Sequence, residues 1–493
     1  MKRNEEQSIK QKGYIRLYII WIKLMKKNIV IIISGIILIC CLCIIYFFLF
    51  KKTTKIVLNN DINIVLITID TLRTDHLSCY GYKHKTSPNI DKIAAEGIRF
   101  TNTLATSSWT SPSIASIMTS LYPVSHGVRH GIIKSGKAYN QEVLNERFDS
   151  LAEILKNHGY TTFGAVANVH MTSELGFGQG FDYYYCEGFP DAYEMNNVVF
   201  SWQDKIKKSK RYFLWVHYFD PHYPYYARSP WIKEYYTTKS QIGNEDLSKM
   251  EWKELKKIIS TLERKRDALE YLVPLYDSEI SYVDYHIGQL ISKLGLDKNS
   301  LIIITSDHGE EFLDHDSFNH GHTLYQELIH VPLIIKFPFP SIESAMSVID
   351  EPVSIIDTMP TILGILGITP PREAKGINLL DKKEKSQKSK HNYLFSELSE
   401  RKTLKTIISK NWKYIFDYKI QKGELYDIVR DHKELDNVIY REVSIAKELE
   451  KELSNWVSNT SKAPSIKKEI QLTEEIEGKL KVLGYISNEE QEK

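Results

Sequence analysis

Two short stretches put metal-binding side chains at the ends of apolar runs. Asp70 closes the run Ile62-Asn63-Ile64-Val65-Leu66-Ile67-Thr68-Ile69, and Ser306-Asp307-His308-Gly309 closes the run at 301–305. Carboxylate combined with imidazole suits zinc or manganese better than calcium or magnesium. Asp70 and Asp307 lie 237 positions apart, so only the fold can bring them together. Four further histidines are grouped in pairs. His217 and His222 sit in Trp215-Val216-His217-Tyr218-Phe219-Asp220-Pro221-His222, and His320 and His322 in Asn319-His320-Gly321-His322. Imidazole exchanges a proton near neutral pH, and alternate residues of an extended segment point the same way. Taken alone, Asp-His-Gly reads as a turn; the strand before it gives it a place beside other groups.

The elements that must position these groups follow from the same runs. They are apolar throughout, as in strands covered on both faces of a parallel sheet. Similar runs recur at 161–167, 212–216 and 331–335, and helical patterns at 89–97, 113–120, 150–158 and 247–294 lie between them. Strands alternating with helices predict an α/β fold with a large, mostly parallel central sheet. Sites in such sheets form beyond the carboxyl ends of the strands. Residues 353–366 read as an amphipathic helix closing the main domain, and the Lys/Ser/Gln-rich run 382–390 as a solvated loop. Strand character at 403–418 and a helical pattern at 447–457 predict a smaller C-terminal α+β subdomain.

Of 493 residues, 42% are hydrophobic and 26% charged, an ordinary globular balance. Residues 1–55 carry eleven Lys/Arg and two Glu, a net +9, so a formal charge of +2 leaves −7 on the rest. A mildly acidic body excludes a basic nucleic-acid footprint. Residues 29–50 form 22 uncharged, apolar positions, long enough for one membrane-spanning helix. Eight Lys/Arg precede it and three follow within five residues, which predicts a single-pass protein with a cytoplasmic N-terminus and an extracytoplasmic body. Cys40, Cys41 and Cys43 fall in that apolar segment, and Cys79 and Cys186 are expected as two separate thiols.

The ordered motifs resemble the sulfatase family, over about residues 63–437. Ser108-Trp109-Thr110-Ser111-Pro112-Ser113-Ile114, with Thr119-Ser120-Leu121-Tyr122-Pro123 and His126-Gly127 after it, is similar to the family's nucleophile signature. There a Cys or Ser, oxidised to formylglycine, precedes x-Pro-Ser-Arg. Asp70-Thr71-Leu72-Arg73-Thr74-Asp75, with Tyr80-Gly81 and Pro88-Asn89-Ile90-Asp91, resembles the first family block. Asp307-His308 resembles the second metal block in its phosphonate-monoesterase, phosphodiesterase and alkaline-phosphatase form. Pro221-His222-Tyr223-Pro224 resembles the Pro-His-x-Pro block. Val353 to Leu363 resembles the Asp-x-x-Pro-Thr-Leu helix, and Glu424-Leu425-Tyr426-Asp427 the C-terminal feature.

The resemblance implies an alkaline-phosphatase-like sandwich and a site in four roles. Asp70, Thr110, Asp307 and His308 would hold a divalent metal ion, zinc or manganese before calcium or magnesium. Thr110 would be the nucleophile and His222 the proton donor to the leaving oxygen. His170 and His322 would stand in the catalytic set, and Asn168, His217 and His320 would bind substrate. Departures from the family are specific. Thr110 cannot become formylglycine, Thr71 replaces a second Asp, and Ile114, Asn168 and His322 stand where the family has Arg, Lys and Lys. The last three remove fixed positive charge. The implied organisation is a basic cytoplasmic segment at 1–28, a transmembrane helix at 29–50, a linker at 51–60, a sulfatase-like catalytic domain at 61–380 and the C-terminal subdomain at 381–493. The implied activity is metal-dependent hydrolysis of a sulfate- or phosphate-type anionic ester, on a glycan or a lipid head group. The alternatives are a membrane-bound phosphoethanolamine- or glycerophosphate-type transferase and a non-catalytic anion- or glycan-binding protein.

Overall fold

The computed structural model describes residues 61–483 except 136–137, 236–264, 339–346, 382–392, 400–401 and 410, together with Tyr485 and a few positions before residue 40. The spanning-helix expectation at 29–50 and the loop at 382–390 lie outside the described residues, apart from Leu38 and Ile39. Among the described residues no helix is long and apolar enough to cross a membrane. Residues 1–55 and 56–493 form two separate units, and the central sheet, its covering helices and the candidate site all belong to the second.

The core is a nine-stranded sheet. Its strands are β1 (Asn63–Ile69), β2 (Ile98–Leu104), β3 (Thr161–Val166), β4 (Tyr183–Tyr185), β5 (Tyr212–Tyr218), β6 (Ser300–Ser306), β7 (His330–Lys336), β8 (Ser347–Ile349) and β9 (Val353–Ser354). They run in the order β8-β2-β7-β6-β1-β5-β3-β4, with β9 also paired to β2. β7 runs antiparallel to both of its neighbours, and every other described pairing in the sheet is parallel. Alternation divides the strands between two faces. Ile64, Leu66, Phe213, Trp215, Leu301 and Ile303 enter one apolar layer, and Val65, Ile67, Leu214, Val216, Ile302 and Ile304 the other.

Helices cover both layers. α1 (Pro88–Ala95), α4 (Ala192–Ser201) and the long α5 (Lys265–Leu294) pack on the second face, and α2 (Thr110–Thr119), α3 (Leu151–Asn157) and α6 (Thr358–Ile365) on the first. α3 and α4 start on reciprocal capping boxes, Ser150 with Glu153 and Asp191 with Glu194, which satisfy otherwise orphaned N–H groups. The helix expected at 353–366 is corrected. It divides into β9, a 3-10 turn at Ile355–Asp357 and α6, and it has no solvent face because every residue from 353 to 366 is buried. Its polar side chains serve internal donors: Asp357 accepts from the N–H of Ser354 (2.9 Å) and Ile377 (2.8 Å), and Thr361 from Leu379 (3.0 Å). A polar stripe that meets backbone donors can be buried, so polarity here does not mark a surface.

Farther along, β10 (Leu394–Leu398), β11 (Leu404–Ile408), β12 (Trp412–Asp417) and β13 (Lys422–Asp427) make an antiparallel sheet. α7 (Val443–Asn459) lays Ala446, Leu449 and Leu453 on Ile407, Tyr414 and Leu425. This sheet meets the main layers through Glu397 N–H to Thr106 O (2.8 Å) and Val124 N–H to the Glu397 carboxylate (2.6 Å).

A second joint is pH-sensitive. His315 Nδ1 lies 2.8 Å from Glu327, its Nε2 faces the Glu434 carbonyl at 3.2 Å, and its ring stacks on Tyr325 at 3.6 Å. Burial alone would lower its pKa, but the Glu327 bond and charge raise it to about 9. The folded value exceeds the unfolded one of about 6.5, so this contribution is complete below pH 6.5 and is lost as pH rises through 9. We expect the pH 6–9.5 melting curve of the wild type to include a fall of about 2–4 °C that His315→Gln lacks; parallel curves would refute the assignment.

Candidate active site

Four adjacent parallel strands, β6-β1-β5-β3, present their carboxyl ends together. Asp70 follows β1, Asp307 and His308 follow β6, His217 is the penultimate residue of β5, and Asn168 and His170 follow β3. The register sets Thr68 of β1 opposite His217 and Ile69 opposite Ser306. The turn after β1 is held firmly. The Tyr276 hydroxyl donates to Thr71 O (2.7 Å) and accepts from Arg73 N–H (2.9 Å), while Thr71 N–H reaches Asp307 Oδ1 (3.3 Å). Thr71 has φ 56°, costly for a β-branched residue and typical of backbone constrained at a site.

Asp70, His217 and Asp307 each offer a ligand atom within 4.8 Å of the others, all buried. His308 joins them, its Nε2 lying 3.7 Å from Asp70 Oδ1 and 3.5 Å from Asp307 Oδ2. His217 Nε2 lies 3.5 Å from Asp70 Oδ2. Ligand atoms around a tetrahedral ion with bonds near 2.1 Å stand about 3.4 Å apart, so these separations fit a divalent cation. Asp70 Oδ1, Asp307 Oδ2 and His217 Nε2 are buried and have no hydrogen-bond partner among the described residues. Buried polar atoms are otherwise nearly always paired, and a shared cation would satisfy all three. The donor set therefore fits a divalent metal ion.

Outer contacts orient these ligands. His308 Nδ1 faces the Gly309 carbonyl at 2.9 Å. A carbonyl only accepts, so Nδ1 carries the hydrogen and Nε2 turns its lone pair to the carboxylates. Trp215 Nε1–H donates to Thr68 Oγ1 (2.9 Å), which lies 2.8 Å from His217 Nδ1. The carboxylates titrate unequally. Burial opposes charge on Asp70, but His222, His217 and His308 together hold its pKa below the usual carboxylate range, whereas burial and the Asp70 charge push that of Asp307 up.

Thr110 opens α2 behind Trp109, which gives no side-chain cap. Its Oγ1 lies 3.3 Å from His308 Nε2. Pro112 has no N–H and the Ser113 N–H goes to Trp109 O (3.3 Å), so the first turn offers the Thr110 and Ser111 N–H groups and the positive end of the helix dipole beside the hydroxyl, a setting that favours an anion. Ile114, in the family's arginine position, points into the apolar core and is fully buried. His222 stacks on Phe219 at 4.4 Å and donates from Nδ1 to the Tyr223 carbonyl, leaving Nε2 as acceptor. Burial pulls His222 down to about 4 despite the Asp70 charge.

The other expected residues separate into two groups. His320 belongs to the cluster, its ring 4.4 Å from His308, 4.9 Å from His222 and 5.2 Å from Trp109, and its Nδ1 is held 3.0 Å from Glu310. His322 is turned to Glu311 (2.7 Å) instead, although the alternation predicted one direction for both. Between them Gly321 has φ 72°, which breaks the extended backbone that the expectation assumed. Asn168 donates to Asp70 Oδ2 (3.1 Å) and so supports a ligand. His217, expected to contact substrate, lies in the buried group with Asp70 and Asp307 that could hold a metal ion. His170 is buried, with both ring nitrogens lacking a partner among the described residues, and burial lowers it to about 3. Sequence reasoning missed Thr68, Glu310, Glu311 and Tyr485. The first three flank recognised motifs; Tyr485 has no local signal at all.

Models of known protein families match the chain across residues 62–462. The family model described as Sulfatase matches residues 62–368, and the model described as N-sulphoglucosamine sulphohydrolase, C-terminal, matches residues 314–462. The chain is 26% identical to "Uncharacterized sulfatase YidJ" of Escherichia coli (strain K12) over 65% of this chain and 71% of that protein. It is 24% identical to the "Arylsulfatase" of Clostridium perfringens over 77% of this chain and 90% of that protein. The phosphonate monoester hydrolase of Agrobacterium radiobacter shares the fold with a TM-score of 0.64 at 20% identity, over 84% of this chain and 98% of that one.

Proposed function

We propose, from the premise that the chain belongs to the sulfatase family of ester hydrolases, that it cleaves anionic sulfate- or phosphate-type esters with Thr110 as nucleophile. One observation carries this reading: the Thr110 hydroxyl lies 3.3 Å from His308 Nε2, itself 3.5–3.7 Å from Asp307 and Asp70. Asp70, His217, Asp307 and His308 would hold a divalent ion, which when bound would supply Lewis-acid charge that eases ionisation of a nearby hydroxyl and offsets the ester's negative charge.

The chain's own groups divide the remaining work. The N–H groups of Thr110 and Ser111 at the start of α2 receive the ester's anionic oxygens. Thr110 Oγ1, its proton released to solvent as the hydroxyl ionises, forms a bond to sulfur or phosphorus as the bond to the leaving oxygen breaks. His222 gives that oxygen its proton from Nε2. The ring is neutral when free, but contact with an anionic ester favours its charged form. Water, passing a proton back to His222 Nε2, then displaces Thr110 from the acquired group. A threonine ester has no hemiacetal route of release, so attack at the central atom is required, which favours phosphorus chemistry. The test is hydrolysis of aryl sulfate, aryl phosphate, phosphodiester and phosphonate by the purified full chain. No turnover of any of them would favour the non-catalytic reading.

The 22-residue apolar run at 29–50 supports a membrane anchor with this domain outside the cytoplasm, and it keeps the transferase reading in view. Release of product into water, against transfer to an added glycan acceptor, separates the two. The metal assignment has its own readout. Asp307→Asn should retain at least about tenfold less divalent metal after dialysis than the wild type, by elemental analysis; equal metal content would move the ligand set elsewhere.

A further inference from the structure

The last described residue of the chain reaches the centre of the site. The strand Lys467–Ile470 pairs with Ala138–Glu142, and α8 (Glu474–Val482) follows, capped by the Thr473 side chain. Leu480 is fully buried with Ile132, Tyr139 and Val169, and Leu483 joins the second apolar layer. Tyr485 N–H donates to Leu480 O at 2.9 Å, which fixes the residue just past the helix. Its ring stands edge-on to His170 (4.8 Å, 82°) and Trp109 (5.2 Å, 70°), next to Thr110. Its hydroxyl lies 2.5 Å from His222 Nε2.

The hydrogen must run from the phenol to the ring. His222 Nδ1–H is committed to the Tyr223 carbonyl, so neutral imidazole offers one in-plane lone pair at Nε2, and the Tyr485 hydroxyl takes it. A leaving-group oxygen needs the same direction to receive its proton. Two oxygens cannot both hold it. A phenol that donates into Nε2 is also oriented against passing a proton from His222 to substrate, so a relay role does not fit.

We infer that Tyr485 is a specificity-determining residue: its hydroxyl occupies the leaving-group seat in the resting enzyme, and only esters that displace it are turned over. The inference rests on His222 being the leaving-group acid. It explains why a C-terminal segment outside the family motifs is packed against the site. It also assigns Trp109 and His170 as walls of the space into which a ring-bearing alcohol fits once the phenol has moved. The adjoining cavity of about 510 Å³, lined by Phe189, Phe219, His222, Arg228 and Val482, receives the rest of that alcohol.

The experiment uses the full chain with Tyr485→Phe and Tyr485→Ala and has two readouts. With the nitrophenyl ester that the wild type cleaves best, both variants should show a KM lower by about three- to tenfold, the weight of one hydrogen bond on the competent population, with kcat within about twofold. Diethyl pyrocarbonate, which acylates a free neutral imidazole nitrogen, should label His222 faster in both variants, read by peptide mass spectrometry. Unchanged KM and labelling would overturn the inference, as would a tenfold or greater loss of kcat. If the wild type cleaves no ester, the functional reading fails by itself; the labelling rates then still decide whether Tyr485 occupies Nε2. An unchanged melting temperature of Tyr485→Phe guards against a folding artefact.

Discussion

Thr110→Ala should lose at least about 10⁴-fold in kcat on the best ester while remaining folded, the scale seen when a nucleophile is removed from a preorganised site. The alanine keeps the Cβ at the first position of α2 and favours the helix. The hydroxyl it removes faces His308 Nε2 at 3.3 Å, and His308 retains its Gly309 bond and its carboxylate neighbours. Stability should therefore change by less than about 1 kcal/mol. Thr110→Ser restores a hydroxyl at the same site and should stay within about tenfold of the wild type. Mass spectrometry of acid-quenched wild type should find the transferred group on the peptide containing Thr110, and none in the alanine variant. Wild-type turnover by Thr110→Ala would refute the nucleophile.

His222→Gln should produce a loss that depends on the leaving group. For an alkyl ester, whose alkoxide is a strong base, the loss should reach about 10²–10³-fold; for a nitrophenyl ester it should stay below about tenfold, because the phenolate leaves without help. This contrast separates proton donation from mere support of the fold, which would affect both substrates alike. The pH profile gives a second sign. Burial holds the free ring near 4, and an anionic ester raises it. Wild-type kcat on the alkyl ester should fall as pH rises through the raised value, and the variant should lack that limb. Equal losses on both esters would remove His222 from the acid role.

How far the fold and the site are legible in the sequence can be read from individual residues. Hydrophobic pattern places Asp70, Asp307 and His308 at strand ends, because a parallel strand covered on both faces must be apolar until it leaves the sheet. β1 and β6 do so, side by side. The same logic places His217, expected as a substrate contact, beside them, since it is a polar residue near the end of a fully buried strand. His320 and His322 show where local rules fail: a positive-φ glycine between them cancels the expected alternation. The segment 353–366 fails for another reason, since its polar side chains are spent on backbone donors contributed by residues 377 and 379.

The order and type of the chemical groups therefore belong to the chain itself. Periodicity sets where a strand ends, and side-chain type sets what a carboxylate, imidazole or hydroxyl can do. Which groups meet was decided only by tertiary structure. The strand order β6-β1-β5-β3 gathers His217 with Asp70 and Asp307, and the packing of α8 brings Tyr485 onto a histidine 263 positions earlier. Contacts at such separations depend on long-range burial and hydrogen bonding, which no local spacing encodes.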